Sequence, residues 1–141
     1  MKARLGFVAF LLCTALFAVG QQAPQIKHVP MKPTSAASGQ EMYANYCAVC
    51  HGKDGKGAGP AAAALKTAPT DLTTLAKLNG GKYPTAHVAT IIRGEADVPA
   101  HGSKDMPVWG PLFLNASQGH EAQVQQRISN LTEYVESLQA K

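Results

Sequence analysis

Cys47-Ala48-Val49-Cys50-His51 is the stretch around which the rest of this chain has to be built. On a helix the two cysteines stand about one turn apart and present both sulfurs on one side, with an imidazole on the next residue. The residues before it set up that helix. Ser38-Gly39-Gln40-Glu41 fits a capping box, a side-chain acceptor at the N-cap with Glu three residues on. Met42, Tyr43, Tyr46 and Cys47 then fall on one side at helical spacing. Gly52 to Gly59 holds four glycines in eight residues, which ends the helix in a loop.

Further out, the punctuation is that of more short helices. Ala61 to Leu65 reads as one, and Pro69-Thr70-Asp71 offers a turn and an N-cap for Leu72 to Leu78, stopped by Asn79-Gly80-Gly81. Pro84 to Arg93 is another, with Val88, Ile91 and Ile92 inward and Gly94 as its stop. Glu95 to Leu114 carries three prolines and two glycines and reads as a long ordered loop. The last helix is expected from Gln118 to Gln139, where Val124, Ile128, Leu131, Tyr134, Val135 and Leu138 follow the 3.6 period. No stretch alternates as a strand would. The expectation is an all-α domain of about five short helices and long loops.

The N-terminal part lies outside that domain. Met1-Lys2-Ala3-Arg4 is a short basic start, Leu5 to Val19 is uncharged and mostly apolar, and Ala18-Val19-Gly20 offers small residues for a cut before Gln21. Residues 1–20 are thus expected to be a signal peptide. Fifteen apolar residues rise only about 22 Å as a helix, short of a ~30 Å hydrocarbon core. Residues 21–37 hold three prolines and no periodicity, and read as a flexible tether. The domain proper is 38–141. Cleavage would leave eleven basic against nine acidic residues, a net charge near +2, with no basic run or basic–aromatic stripe to suit nucleic acid. It would also remove Cys13, leaving Cys47 and Cys50 as the only cysteines, in an oxidising compartment.

Four chemistries compete for those two cysteines. A thioredoxin-like dithiol needs a βαβ setting. A zinc site needs a fourth ligand, and there is no second Cys-x-x-Cys. A disulfide across two residues closes too small a loop to stabilise much. Cys-x-x-Cys-His is otherwise the signature of covalent haem c attachment, with thioethers from Cys47 and Cys50 and His51 as an iron ligand. A sixth ligand then has countable candidates. Met42 lies on the same helix as His51, and Met31 and His28 lie in the tether. His87 and His120 are placed as surface or first-turn residues. Met106, in Asp105-Met106-Pro107, and His101, five residues earlier, remain. Pro107 stiffens the backbone beside Met106, whereas His101 sits between Pro99 and Gly102 in a turn-like setting.

Beyond the pentapeptide, the chain from Ser38 to Lys141 resembles the class I c-type cytochromes of bacteria. Gly39, Tyr43 and Cys47 have that family's first-helix spacing, and Leu131 and Tyr134 sit where its last helix answers them. Gly57-Ala58-Gly59-Pro60 followed by Leu65 is similar to the loop after its haem motif, and Met106-Pro107 resembles its distal ligand segment. The resemblance implies a cytochrome c fold around one haem c, axial ligands His51 and Met106, and a carbonyl at Pro60 that orients the His51 imidazole. His/Met ligation raises the reduction potential and closes both axial positions, which suits one-electron exchange. Leu65, Leu72, Leu75, Val88, Ile92 and Trp109 are the expected apolar wall, with Trp109 either donating to a haem propionate or packing in the core.

The function implied is that of an exported, periplasmic electron carrier and not an enzyme. Its partners would be larger redox proteins, with no small-molecule substrate and with membrane contact only through a partner complex or an uncleaved signal. Two alternatives stand beside it: a fixed electron-entry subunit of an oxidase or dehydrogenase, attached through 21–37, and a haem enzyme or sensor with an open sixth position. Lys53, Lys56 and Lys104 could steer an acidic partner, but Asp54 and Asp105 partly cancel them. Asn115-Ala116-Ser117 and Asn130-Leu131-Thr132 match the glycosylation triplet only as chance triplets do.

Overall fold

The computed structural model describes residues 29–96 and 108–140; every structural statement below refers to these. Helix α1 (Gly39–Met42) starts where the capping signal places it: the Ser38 hydroxyl accepts from the Glu41 amide at 3.1 Å. The reciprocal half of the box is absent, because the Glu41 carboxylate accepts from the Ser35 amide instead. A π turn (Tyr43–Cys47) then carries α1 into α2 (Ala48–His51), with the Ala48 amide bonded back five residues to the Tyr43 carbonyl. This composite helix, α3 (Leu75–Leu78), α4 (Thr85–Arg93), α5 (Trp109–Ala116) and α6 (Glu121–Ser137) give five helices and no strand among the described residues.

Helix α6 is the spine. Val124, Ile128, Leu131 and Val135 recur along one face and are all buried, against α1, α4 and α5. On α4, Val88 and Ile92 point inward while Ile91 is only half-buried; the helix ends on left-handed Gly94, whose amide returns to the Thr90 and Ile91 carbonyls. Tyr83, just before α4, reaches α6 and donates to the Thr132 carbonyl at 3.0 Å. Gly39 is where α1 crosses α6: a Cβ there would lie 2.0 Å from the Asn130 carbonyl oxygen. Tyr43 and Tyr134 meet beside it, ring centroids 5.2 Å apart.

Four boundaries differ from expectation. Residues 109–114, expected in a loop, belong to α5. Pro111 is the third residue of that helix, where its missing N–H would have had no intrahelical partner, so it does not act as a breaker. The final helix begins at Glu121 and not Gln118, because Gln118 and Gly119 both have positive φ. Ala62–Ala64 is a 3₁₀ turn, and the segment from Leu72 is a 3₁₀ turn (Leu72–Thr74) running into α3; the Asp71 carboxylate caps it by accepting from the Thr73 amide and hydroxyl.

The expected tether also differs over its described part. Met31 packs against the core, the Lys32 carbonyl accepts from the Tyr46 phenol, and the Ala36 carbonyl accepts from Asn130 Nδ2 at 2.8 Å. Thr34 meets Arg127 of α6. Residues 31–36 are therefore attached to the domain, and their polar sequence conceals contacts made mostly by backbone atoms.

One buried hydroxyl has no partner among the described residues: Thr132 Oγ1 on α6. Thr132→Val keeps the shape and removes the orphaned group, so stability is expected to rise by about 1 kcal/mol. A lower urea midpoint in that variant would show that the hydroxyl has a partner after all.

Candidate functional site

The pentapeptide spans the end of the π turn and all of α2. Cys47 and Cys50 are both half-buried and carry free thiols, so the structure holds no disulfide between them. Burial pushes the Cys47 thiol up to about 12, with Cys50 beside it adding to the rise. Burial raises the Cys50 thiol too. Among the described residues no group of three or more His, Cys, Asp or Glu side chains could hold a metal ion.

His51 closes the stretch and is buried. Its Nδ1 lies 3.1 Å from the Thr70 carbonyl oxygen, which can only accept, so Nδ1 carries a proton; in the neutral ring that leaves the lone pair on Nε2. That tautomer is the one an iron ligand needs. The acceptor is Thr70 and not Pro60, which is exposed. Loop packing explains the choice. The Leu72 amide donates to the Gly55 carbonyl at 2.7 Å, drawing residues 69–72 onto the glycine loop. Gly57, with φ +82°, has no room for a side chain: a Cβ would lie 2.3 Å from the Pro69 carbonyl oxygen. Thr70 is thereby delivered to the imidazole.

The helix end itself is sealed by the same loop. The amides of Gly57, Gly59 and Ala61 donate to the carbonyls of His51, Cys50 and Val49, satisfying acceptors that α2 leaves open. Tyr43 donates its phenol proton to the Gly52 carbonyl at 2.8 Å, and burial holds that phenol un-ionised far above neutral pH. Tyr43 thus packs against α6 and pins the residue after His51, a second role that its helical spacing did not reveal.

Of the expected wall, Val88, Ile92 and Trp109 are buried, and Leu65, Leu72 and Leu75 are half-buried. Trp109 stacks on Tyr46 with centroids 5.1 Å apart and lies beside Phe113. The Thr132 of the second glycosylation triplet is buried, and Asn130 is bonded to Ala36, so that triplet is structural. Lys53, Lys56 and Asp54 are exposed together after His51. Met106, His101 and Lys104 lie outside the described residues, as do the expected signal peptide and the tether up to His28.

The donor set fits a haem c: two free thiols a turn apart, and a buried imidazole held through Nδ1 by a backbone acceptor. No helix among the described residues is long and apolar enough to cross a membrane. No curated protein and no solved structure matches the chain. A family model does, over residues 34–118, more than half of the chain; it is described as cytochrome c oxidase, cbb3-type, subunit III.

Proposed function

We propose, because this chain belongs to the family of the cbb3-type cytochrome c oxidase subunit III, that Cys47, Cys50, His51 and Met106 hold its haem and that the domain passes single electrons between larger redox proteins. Membership makes the chain a class I c-type cytochrome, with a covalent haem c and an electron-carrying role. Cys47 and Cys50 would hold the haem through thioethers, and His51 and Met106 would bind its iron. The mature protein is exported after cleavage near Gly20. The observation that carries the reading is the His51 ring, buried on α2 with Nδ1–H given to Thr70.

The haem supplies the one-electron couple. The chain supplies the rest. Thr70 fixes the imidazole's tautomer and turn. Leu65, Leu72 and Leu75 keep water from the site, which protects the potential. Lys53 and Lys56 favour an acidic partner surface, an effect that Asp54 moderates. An alkaline pyridine spectrum of the purified protein is expected to report two saturated vinyl groups, with no thiol open to titration. Titratable thiols at Cys47 and Cys50 would overturn the attachment.

A second reading has one observation in its favour: the matching family is described as an oxidase subunit. In that case the domain is a fixed electron-entry subunit. Gel filtration of native extract separates the two, since a free carrier elutes as a small protein and a subunit elutes with its complex.

A further inference from the structure

Arg127 is a buried cation that the haem chemistry leaves unused. It is 6% exposed, and among the described residues no carboxylate pairs with it. Dipoles compensate its charge instead. Nε donates to Ser117 Oγ at 3.2 Å, Nη1 to Thr34 Oγ1 at 3.1 Å and to Met42 Sδ at 3.8 Å, and Nη2 to the Thr34 carbonyl at 3.0 Å. The guanidinium also lies over the Phe113 ring, 5.9 Å from its centroid.

Proton accounting fixes the direction of the network. Tyr46 spends its one phenol proton on the Lys32 carbonyl at 2.5 Å. The Thr34 hydroxyl, 2.7 Å from Tyr46 Oη, therefore donates to Tyr46 while accepting from Arg127. One threonine thus joins the π turn to α6. Asn130 on α6 and Glu41 on α1 bind the next residues, Ala36 and Ser35. The segment crosses both helices of the α1–α6 packing and is bonded to each.

We propose that residues 31–36 are an orienting strap bolted by Arg127, so that the rigid body of the domain begins at Met31 and not at Ser38. Whatever grips residues 31–36 then holds the haem-binding domain in a fixed attitude. The proposal rests on no ligand assignment. Its physical core is an asymmetry: with the strap in place the guanidinium is covered, and removing an acceptor leaves a buried cation short of a hydrogen bond. The cheapest relief is for the strap to open and admit water.

The test uses the full haem-loaded chain, with backbone amide order parameters and hydrogen exchange. In the parent, the amides of Lys32, Thr34, Ser35 and Ala36 are expected to show order parameters near those of a rigid backbone, about 0.85. Thr34→Val is expected to lower them below ~0.6 and to speed exchange at Ser35 and Ala37 roughly tenfold. Protection at Leu131 and Val135 in α6 and the visible spectrum should stay unchanged. Thr34→Ser, which keeps the hydroxyl, should match the parent, and Arg127→Lys, which loses the planar fork, should behave like Thr34→Val. Should Arg127→Lys fail to fold, the Thr34 pair decides alone. A parent strap that is already mobile, or a Thr34→Val strap as rigid as the parent's, would overturn the proposal.

Discussion

Gly39→Val is expected to lower the domain's stability by about 3 kcal/mol, the upper end of what overpacking costs. The atom a new Cβ meets is the Asn130 carbonyl oxygen at 2.0 Å, and the carbonyl carbon follows at 2.7 Å. Backbone cannot turn aside as a side chain can. α6 would have to move as a unit, yet Leu131 and Val135 beside the clash are buried in the core, and Asn130 is tied to the strap through Ala36. Because the collision begins at Cβ, Gly39→Ala should already incur most of the loss. Urea unfolding reads this directly as a lower midpoint at constant slope. Equal midpoints for the parent, Gly39→Ala and Gly39→Val would mean that the helices do not approach so closely.

Met106→Ala is expected to abolish the sulfur-to-iron charge-transfer band of the oxidised protein and to lower its reduction potential, while His101→Ala leaves both nearly unchanged. A thioether is a soft, neutral donor that favours Fe(II), so its loss favours the oxidised state. Other candidates for the distal position are committed elsewhere. Met42 is fully buried, with its sulfur toward Arg127, and Met31 lies on the strap. His120 stands at the start of α6 with Nδ1 bonded to the Ser117 carbonyl, and His87 is exposed on α4. Pro107 also limits the backbone states lost when the sulfur is held. A potential that drops in His101→Ala and not in Met106→Ala would reverse the ligand assignment and remove the ground for a high-potential carrier.

What was legible in the sequence was whatever side chains announce by type and period. The pentapeptide, the apolar face of α6 and the Ser38 cap could all be read in advance. α5 was missed because Gly110 and Pro111 count as breakers by composition, although both fall in a first turn where they break nothing. Its apolar run from Val108 to Leu114 also has no period to detect. Thr70 could not be found, since it acts through a carbonyl that every residue possesses. The strap left one sign that could have been used: Arg127 interrupts the buried series Val124, Ile128, Leu131 at an inward position, and an inward arginine calls for acceptors from somewhere.

The π turn sets the rotational phase between the two ends of one helix. It holds one residue more than the α turn it replaces, so it works as a single-residue insertion. One residue is about 100° of rotation about an α-helix. The Gly39 end must face the Asn130 backbone, and the His51 end must face the Thr70 carbonyl. These two directions are dictated by separate parts of the chain. Removing one residue between Tyr43 and Tyr46 would leave a more regular helix with Gly39 still seated, yet would swing His51 out from beneath its acceptor. The extra residue is what lets one rod satisfy two independent headings.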